Sequence, residues 1–252
     1  MILAFTKSPA RRLATVGLVA VLFTGCATPI VTPTPEPSAL STVPPVTPPY
    51  TLAPTMSPSG AAGNVCPTTT PDAFTGKATV TMTTNFGDIV IAVDGSLGPN
   101  AAGAFLALAR CGYYNNVIFH RLVPGFIIQG GDGTYGRMPN PTLSCLLGTG
   151  GPSWTVQDDK VNTTYKRGTF ALARKSTANS ANSQFFIVLD DSAGSTLGDP
   201  SANNYAILGS VTTGMNVVDA IAQVPLGGDV CPGGGSASQP LEPIVITSTI
   251  VS

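Results

Sequence analysis

The pattern of apolar and polar positions changes character several times along the chain. Over residues 77–84 Ala78, Val80 and Met82 alternate with Thr79, Thr81 and Thr83, the period of a strand with one buried face. Asn85-Phe86-Gly87-Asp88 reads as a turn, and residues 89–93 return as the second strand of a hairpin. Pro99 marks a helix start, because its missing N–H costs nothing in the first turn. Phe105, Leu106, Leu108 and Ala109 give that helix an apolar face, and Gly112 is placed to stop it. Short apolar runs follow at 117–121, 125–129, 169–173, 184–189, 206–211 and 243–251, divided by Gly- or Asn-rich loops. A second helix is expected over 215–223, where Val217, Val218 and Ile221 share a face. Many short strands with two helices predict a mainly β domain closed into an antiparallel barrel, since closure removes exposed edges.

The region before residue 72 follows other rules. Lys7, Arg11 and Arg12 precede an apolar run over 13–23, and eleven residues at about 1.5 Å each fall short of a hydrocarbon core of roughly 30 Å. The run therefore reads as a secretory signal, and Leu22-Phe23-Thr24-Gly25-Cys26 resembles a bacterial lipobox, with Phe23 where Leu is more usual. Cys26 is the expected lipidation site, which predicts a chain anchored to the outer side of the cytoplasmic membrane in a bacterial envelope. Residues 27–63 are Thr, Pro, Ser and Ala with almost no charge; such a stretch cannot bury a core and reads as an extended stalk. The expected organisation is a signal peptide over 1–26, a stalk over 27–71 and a folded domain over 72–252.

Charge narrows the function. A net charge of −1 leaves no cationic surplus for phosphates, so nucleic acid is not an expected partner. Outside the cytoplasm Cys66, Cys111, Cys145 and Cys231 predict two disulfides, and four cysteines allow three pairings. No CxxC or Cys/His cluster is present, so neither metal nor cofactor is expected.

The densest chemistry lies in Ile118-Phe119-His120-Arg121-Leu122-Val123-Pro124-Gly125-Phe126-Ile127-Ile128-Gln129-Gly130-Gly131-Asp132. This segment resembles the hallmark of cyclophilins. Gly168-Thr169-Phe170-Ala171-Leu172-Ala173-Arg174, Ser180-Ala181-Asn182-Ser183-Gln184-Phe185-Phe186-Ile187 and Gly148-Thr149-Gly150-Gly151 resemble further blocks of that family, in family order, and the similarity runs from about residue 77 to 251. The resemblance implies a closed eight-stranded barrel capped by two helices, acting without cofactor as a peptidyl-prolyl cis/trans isomerase on proline-containing polypeptides, with a monomer the default. The alternative is a cyclophilin-like module that binds such segments with little turnover.

The family pattern also assigns roles. Arg121 is implied as the catalytic donor, with Gln129 holding the substrate backbone and Phe126, Ile127 and Phe186 forming the proline pocket. Ala173 and Arg174 match the segment that pairs with the substrate chain, and His120 an orienting position at the site's edge. Ile127 stands where Met is frequent, and Tyr205 where animal members carry His. The family's aromatic rim residue has no counterpart, leaving Leu197 as the expected wall and weak binding of cyclosporin-type ligands as the consequence. Residues 137–147 look like an insertion that would fold back to bring Cys145 to Cys111, while neighbouring first and last strands would bring Cys66 near Cys231.

Other motifs weigh less. His120 is the chain's one His and no nucleophile elbow accompanies it, so a Ser-His-Asp triad is not expected. Gly131–Gly136 fits GxGxxG, but Pro139 and Pro141 oppose the helix a dinucleotide site needs. The pairs Asp158-Asp159 and Asp190-Asp191 read as solvated turn acids, and Asn162-Thr163-Thr164 as an incidental sequon.

Overall fold

A computed structural model describes residues 65–141, 145–198, 204–227 and 238–252. The alternating segment forms β1 (Lys77–Thr84), and a two-residue turn at Asn85-Phe86 leads into β2 (Gly87–Asp94), with Thr84 opposite Gly87. Thr84 holds that turn: its hydroxyl accepts from Phe86 N at 3.0 Å and donates to Gly87 O at 2.8 Å. Then come α1 (Pro99–Arg110), β3 (Val117–Val123), β4 (Ile127–Gly130), β5 (Thr169–Leu172), β6 (Phe185–Val188), α2 (Ala193–Leu197), β7 (Ile207–Thr213), α3 (Met215–Ala222) and β8 (Ile244–Val251). The strands close into an antiparallel barrel in the order β1-β2-β7-β5-β6-β4-β3-β8. The eight-stranded barrel is as expected. The helix count is not: α2 is a third helix among the described residues, and five residues are too few to show a helical period in sequence.

Two apolar clusters sit on opposite faces of the barrel wall. Val80, Met82, Ile89, Ile91, Phe119, Ile128, Phe170, Phe185, Ile187 and Leu208 point inward, where α1 adds Phe105 and α3 adds Val218 and Ile221. Their neighbours Ile127, Ala171, Phe186, Val188 and Ile207 point outward and pack with Tyr165, Ala193 and Leu197. The barrel is therefore covered outside as well as filled inside, but only along β4, β5, β6 and the start of β7.

Remote side chains close the helix and the N-terminal edge. Gly98 offers no capping side chain to α1, and Asp159 supplies it from a distant loop, accepting from Asn100 N at 3.2 Å and Ala101 N at 2.9 Å. Asp159 is thus a helix cap, and Asp158 lies 3.5 Å from Arg174, which corrects their reading as solvated turn acids.

Cys66 is bonded to Cys111 at the end of α1. This bridge excludes both expected pairings, Cys66–Cys231 and Cys111–Cys145. The reason is the path of residues 65–71, which lead from the end of α1 along residues 154 and 155: Trp154 Nε1 donates to Pro67 O at 2.9 Å and Thr70 Oγ1 to Thr155 O at 2.9 Å. Cys145 is also disulfide-bonded, and Cys231 and Cys26 lie outside the described residues.

Candidate active site

The site begins with a turn. Pro124 and Gly125 occupy the centre of a tight turn closed by Phe126 N donating to Val123 O at 2.9 Å, with Gly125 at φ 70°, a value that favours glycine. The turn sets the register of β3 against β4, with Arg121 opposite Gln129. Gln129 in turn lies opposite Phe186 on β6, and Phe186 opposite Ala171 on β5. A cation, an amide and an aromatic ring thus share one rung across adjacent strands on the outer face.

Arg121 reaches that face through a β-bulge. Phe119 lies opposite Gly130 and Arg121 opposite Gln129, so His120 is the extra residue between them. Simple alternation would put Phe119 and Arg121 on the same side. The inserted residue lets Phe119 and Leu122 both enter the interior while Arg121 points out. His120 itself is 6% exposed, and among the described residues neither ring nitrogen has a hydrogen-bond partner. A Cβ added at Gly148 would lie 3.2 Å from His120 Nε2, so the ring sits beneath the 148–151 loop. Burial, outweighing the nearby Asp132 and reinforced by Arg121, lowers its pKa to about 4, so His120 is neutral at pH 7.

A chain of hydrogen bonds fixes the polar half. Arg121 Nη1 donates to Gln129 Oε1 at 3.4 Å, and Gln129 Nε2 to Gln184 Oε1 at 3.0 Å. Gln184 Nε2 donates to Gly148 O and Gly150 O, both at 2.9 Å. Fully buried Asp132 holds the same loop from the other side: one carboxylate oxygen accepts from Thr134 N and Tyr135 N, the other from Gly148 N and Gly150 N, at 2.7–3.0 Å. Gly150 fits there because a Cβ would fall 2.3 Å from that carboxylate. Burial pulls the Arg121 guanidinium below its ordinary value, opposed by Tyr205, and leaves it cationic at neutral pH.

The apolar half adjoins the rung. Ile127, Phe186 and Leu197 are buried, and Phe126, Ala173 and Tyr205 half-buried, in one outer cluster. The Phe186 and Tyr205 rings meet edge-on with centroids 5.3 Å apart. Tyr165 positions Tyr205 by donating its hydroxyl to Tyr205 O at 2.6 Å and accepting from Tyr205 N at 2.8 Å, and burial pushes that phenol up to about 12. Leu197 ends α2, and the chain's one Trp, Trp154, is occupied elsewhere with Pro67.

Most residues singled out from sequence converge here. Two have different surroundings from the others. His120 lies beneath the loop, and the Arg174 side chain donates to Asn204 O at 3.0 Å and faces Asp158. Gln184 was given no role from sequence, although it lies inside one of the quoted blocks; nothing but the three-dimensional register places it between Gln129 and the glycine loop. Beside Gln129 and Gln184 a small recess of about 80 Å³ is lined by Thr149, Arg174, Lys175 and Asn182. A larger groove, about 790 Å³, lies elsewhere, over β1, β2 and β7 near Lys77, Lys166 and Ser210. Of the motif residues it contains only Thr169 and none of those given a role, so the chemistry argues for the surface bearing Arg121. Among the described residues no cluster of His, Cys, Asp or Glu is arranged to hold a metal, and no helix is long and apolar enough to cross a membrane.

Comparison with known proteins bears on this arrangement. The family model described as "Cyclophilin type peptidyl-prolyl cis-trans isomerase/CLD" matches residues 79–251. Peptidyl-prolyl cis-trans isomerase B of Escherichia coli (strain K12) is 35% identical over 175 residues, covering 69% of this chain and 99% of that protein. A peptidyl-prolyl cis-trans isomerase of Streptomyces antibioticus is 36% identical over 174 residues, covering 68% and 96%. Among solved structures, a Cryptosporidium parvum cyclophilin-type isomerase superposes with a TM-score of 0.53 at 27% identity, covering 70% of this chain and 98% of that one. A second structure of that isomerase, in the presence of the dipeptide Ala-Pro, gives 0.52 at 28% identity, covering 69% and 98%.

Proposed function

The chain belongs to the cyclophilin-type peptidyl-prolyl cis-trans isomerase family (EC 5.2.1.8), and from that premise we propose that Arg121 drives rotation of X-Pro bonds in exported polypeptides. Amide resonance opposes the rotation with a barrier of about 18–20 kcal/mol. As the bond leaves planarity the prolyl nitrogen becomes pyramidal and gains a lone pair. A donor cation beside that nitrogen stabilises the twisted amide more than either planar form, which is the condition for catalysis. Neither nucleophile nor general base is needed, and the neutral His120 takes no proton in this scheme.

One observation carries the reading: a single rung sets Arg121 and Gln129 beside Phe186, a cation and an amide at the edge of an apolar shelf. The proline ring rests on Phe186, Ile127 and Phe126, with Leu197 as the wall; Gln129, its amide oriented by Gln184, holds the substrate backbone. The Ala-Pro dipeptide present with the related structure supports proline-containing polypeptides as the ligand. The test is catalysed isomerisation of an X-Pro tetrapeptide by the purified chain, which Arg121→Ala should lower by about a hundredfold or more. Equal rates in the two chains would remove Arg121 from the mechanism.

Export and anchoring are part of the proposal. They are supported by the basic and apolar N-terminus ending in Cys26, and by the Cys66–Cys111 bridge, which suits an oxidising compartment. Incorporation of labelled palmitate that disappears in Cys26→Ser is the expected result; retained label would move the attachment elsewhere.

A further inference from the structure

The recess beside Gln129 and Gln184 carries a charge that bond rotation itself does not use. Its lining includes Arg174 and Lys175 and no Asp or Glu. The two cations differ in their commitments. The Arg174 guanidinium donates to Asn204 O at 3.0 Å and Thr177 O at 3.3 Å and lies 3.5 Å from Asp158, so its charge is answered. The exposed Lys175 ammonium has neither an ion pair nor a hydrogen bond among the described residues. Fully buried Asp132, beneath the 148–151 loop, is already taken up by four backbone N–H groups.

The rest of the lining adds one neutral donor. Asn182 Oδ1 accepts from Ser183 N at 2.6 Å, and Asn182 Nδ2 has no acceptor among the described residues. Gln184 Nε2, Thr149 Oγ1 and Ser180 Oγ all donate to backbone carbonyls. Apart from the paired Arg174, the uncommitted side-chain groups are therefore an ammonium and an amide N–H, the complement of a carboxylate. The Lys175 backbone is held in place: its N–H donates to Ser180 Oγ at 3.0 Å, and Asn179 and Asp158 exchange hydrogen bonds at 2.8 and 3.0 Å below the same loop.

Register gives the spacing from the proline shelf. Ala171 lies opposite Phe186, Leu172 opposite Phe185, and Ala173 N donates to Gln184 O at 2.7 Å, so the recess continues from the shelf along the same two chains. Gln184 stands two residues before Phe186. At about 3.3 Å per residue that step is roughly 7 Å, which two residues of an extended client match. A client whose proline ring rests on Phe186 thus brings the side chain two or three residues away over Gln184 and Lys175.

We propose that Lys175 selects clients with an acidic side chain two or three residues from the proline, seating its carboxylate in the recess between Lys175 and Asn182. The inference rests on the catalytic reading above and names the substrate class of that site. An amide in place of the acid loses the ion pair, and a basic residue meets like charge.

The experiment gives the full chain two sets of X-Pro peptides, one with Glu, Gln or Lys two or three residues before the proline and one with the same residues after it. In one set kcat/KM should fall in the order Glu, Gln, Lys, with Glu about threefold above Gln and about tenfold above Lys at low ionic strength. The Glu advantage should shrink in about 1 M salt, where the screening length is about 3 Å. Lys175→Ala should level the three peptides, and Lys175→Glu should reverse their order. Each comparison is a ratio within one chain, so a change in turnover common to the three cancels. Equal kcat/KM for the three peptides in both sets, a preference indifferent to salt, or a Glu preference that survives in Lys175→Glu would each overturn the inference while leaving the catalytic reading intact. No turnover of any peptide would bring down the catalytic reading, and this inference with it.

Discussion

The two sides of the barrel are built differently. Along β1 buried residues alternate with more exposed ones, along β8 only Ile244 and Ile246 are buried, and the outer face meets water. Along β5 and β6 every residue is buried, because the outer face carries a second apolar layer from α2, Tyr165 and the start of β7. The proposed substrate surface grows from that second layer. Phe186 and Ile127 belong to it, and Arg121 stands on β3, which joins the covered strand β4 to the open strand β8. The contrast teaches where such a site is placed. An apolar shelf needs outward residues that other side chains shield, while its cation needs enough solvent to stay charged, and β3 borders both.

Substitutions can break or sharpen that division. Phe186→Ala on the covered side should cost about 3–5 kcal/mol of stability and also at least tenfold in kcat/KM. Ile91→Ala on the open side should cost about 2–5 kcal/mol with kcat/KM of the folded protein unchanged. Denaturant melts alongside tetrapeptide assays check both, and an equal activity loss in Ile91→Ala would dissolve the distinction. Arg121→Ala should lower kcat/KM by roughly 10²–10³-fold, about 2.7–4 kcal/mol, without moving the melting midpoint.

Acid should act through the residue beneath the border. His120 is neutral when buried and titrates near 4, below the ordinary 6.5. Above pH 6.5 it is neutral in both folded and unfolded chains and the stabilisation is complete. As pH falls from 6.5 toward 4 the unfolded chain takes the proton first, so stability declines by up to about 3 kcal/mol. Because this is the chain's one His, His120→Gln should flatten that part of the pH–stability curve, and an unchanged slope would mean the ring is not sealed. The smallest effect belongs to the open side's exposed ion pair: Lys77→Ala, which removes the partner of Asp94, should change stability by less than about 1 kcal/mol.

Legibility in sequence follows the same division. β1 could be read from its alternation because one face meets water; β5 and β6, buried on both faces, show continuous apolar runs that periodicity does not separate from a buried helix segment. Their bounding loops marked them as short strands, and the structure brings Arg121, Phe126, Gln129 and Phe186, which the motif resemblance had grouped, onto one surface. What escaped were features that depend on a distant partner. Asp159 caps α1 across 59 residues, and Gln184 bridges Gln129 to a loop 34 residues away. The bulge at His120, which turns Arg121 outward, has no local signature because its register is defined only against β4. The cysteine pairing failed for a related reason: it depended on the course of residues 65–71, where turn and Pro composition carries no direction.

The Cys66–Cys111 bridge has a mechanical consequence. Tension applied to the chain before Val65 would otherwise fall on a strip held to the domain by separate hydrogen bonds, such as those at Pro67 and Thr70, which yield one after another under peeling. The covalent crosslink sends the load past that strip into the end of α1, whose apolar face is embedded in the barrel interior. A pull is thereby borne in shear by a packed helix, and the rung of Arg121, Gln129 and Phe186, carried on other elements, is spared the load.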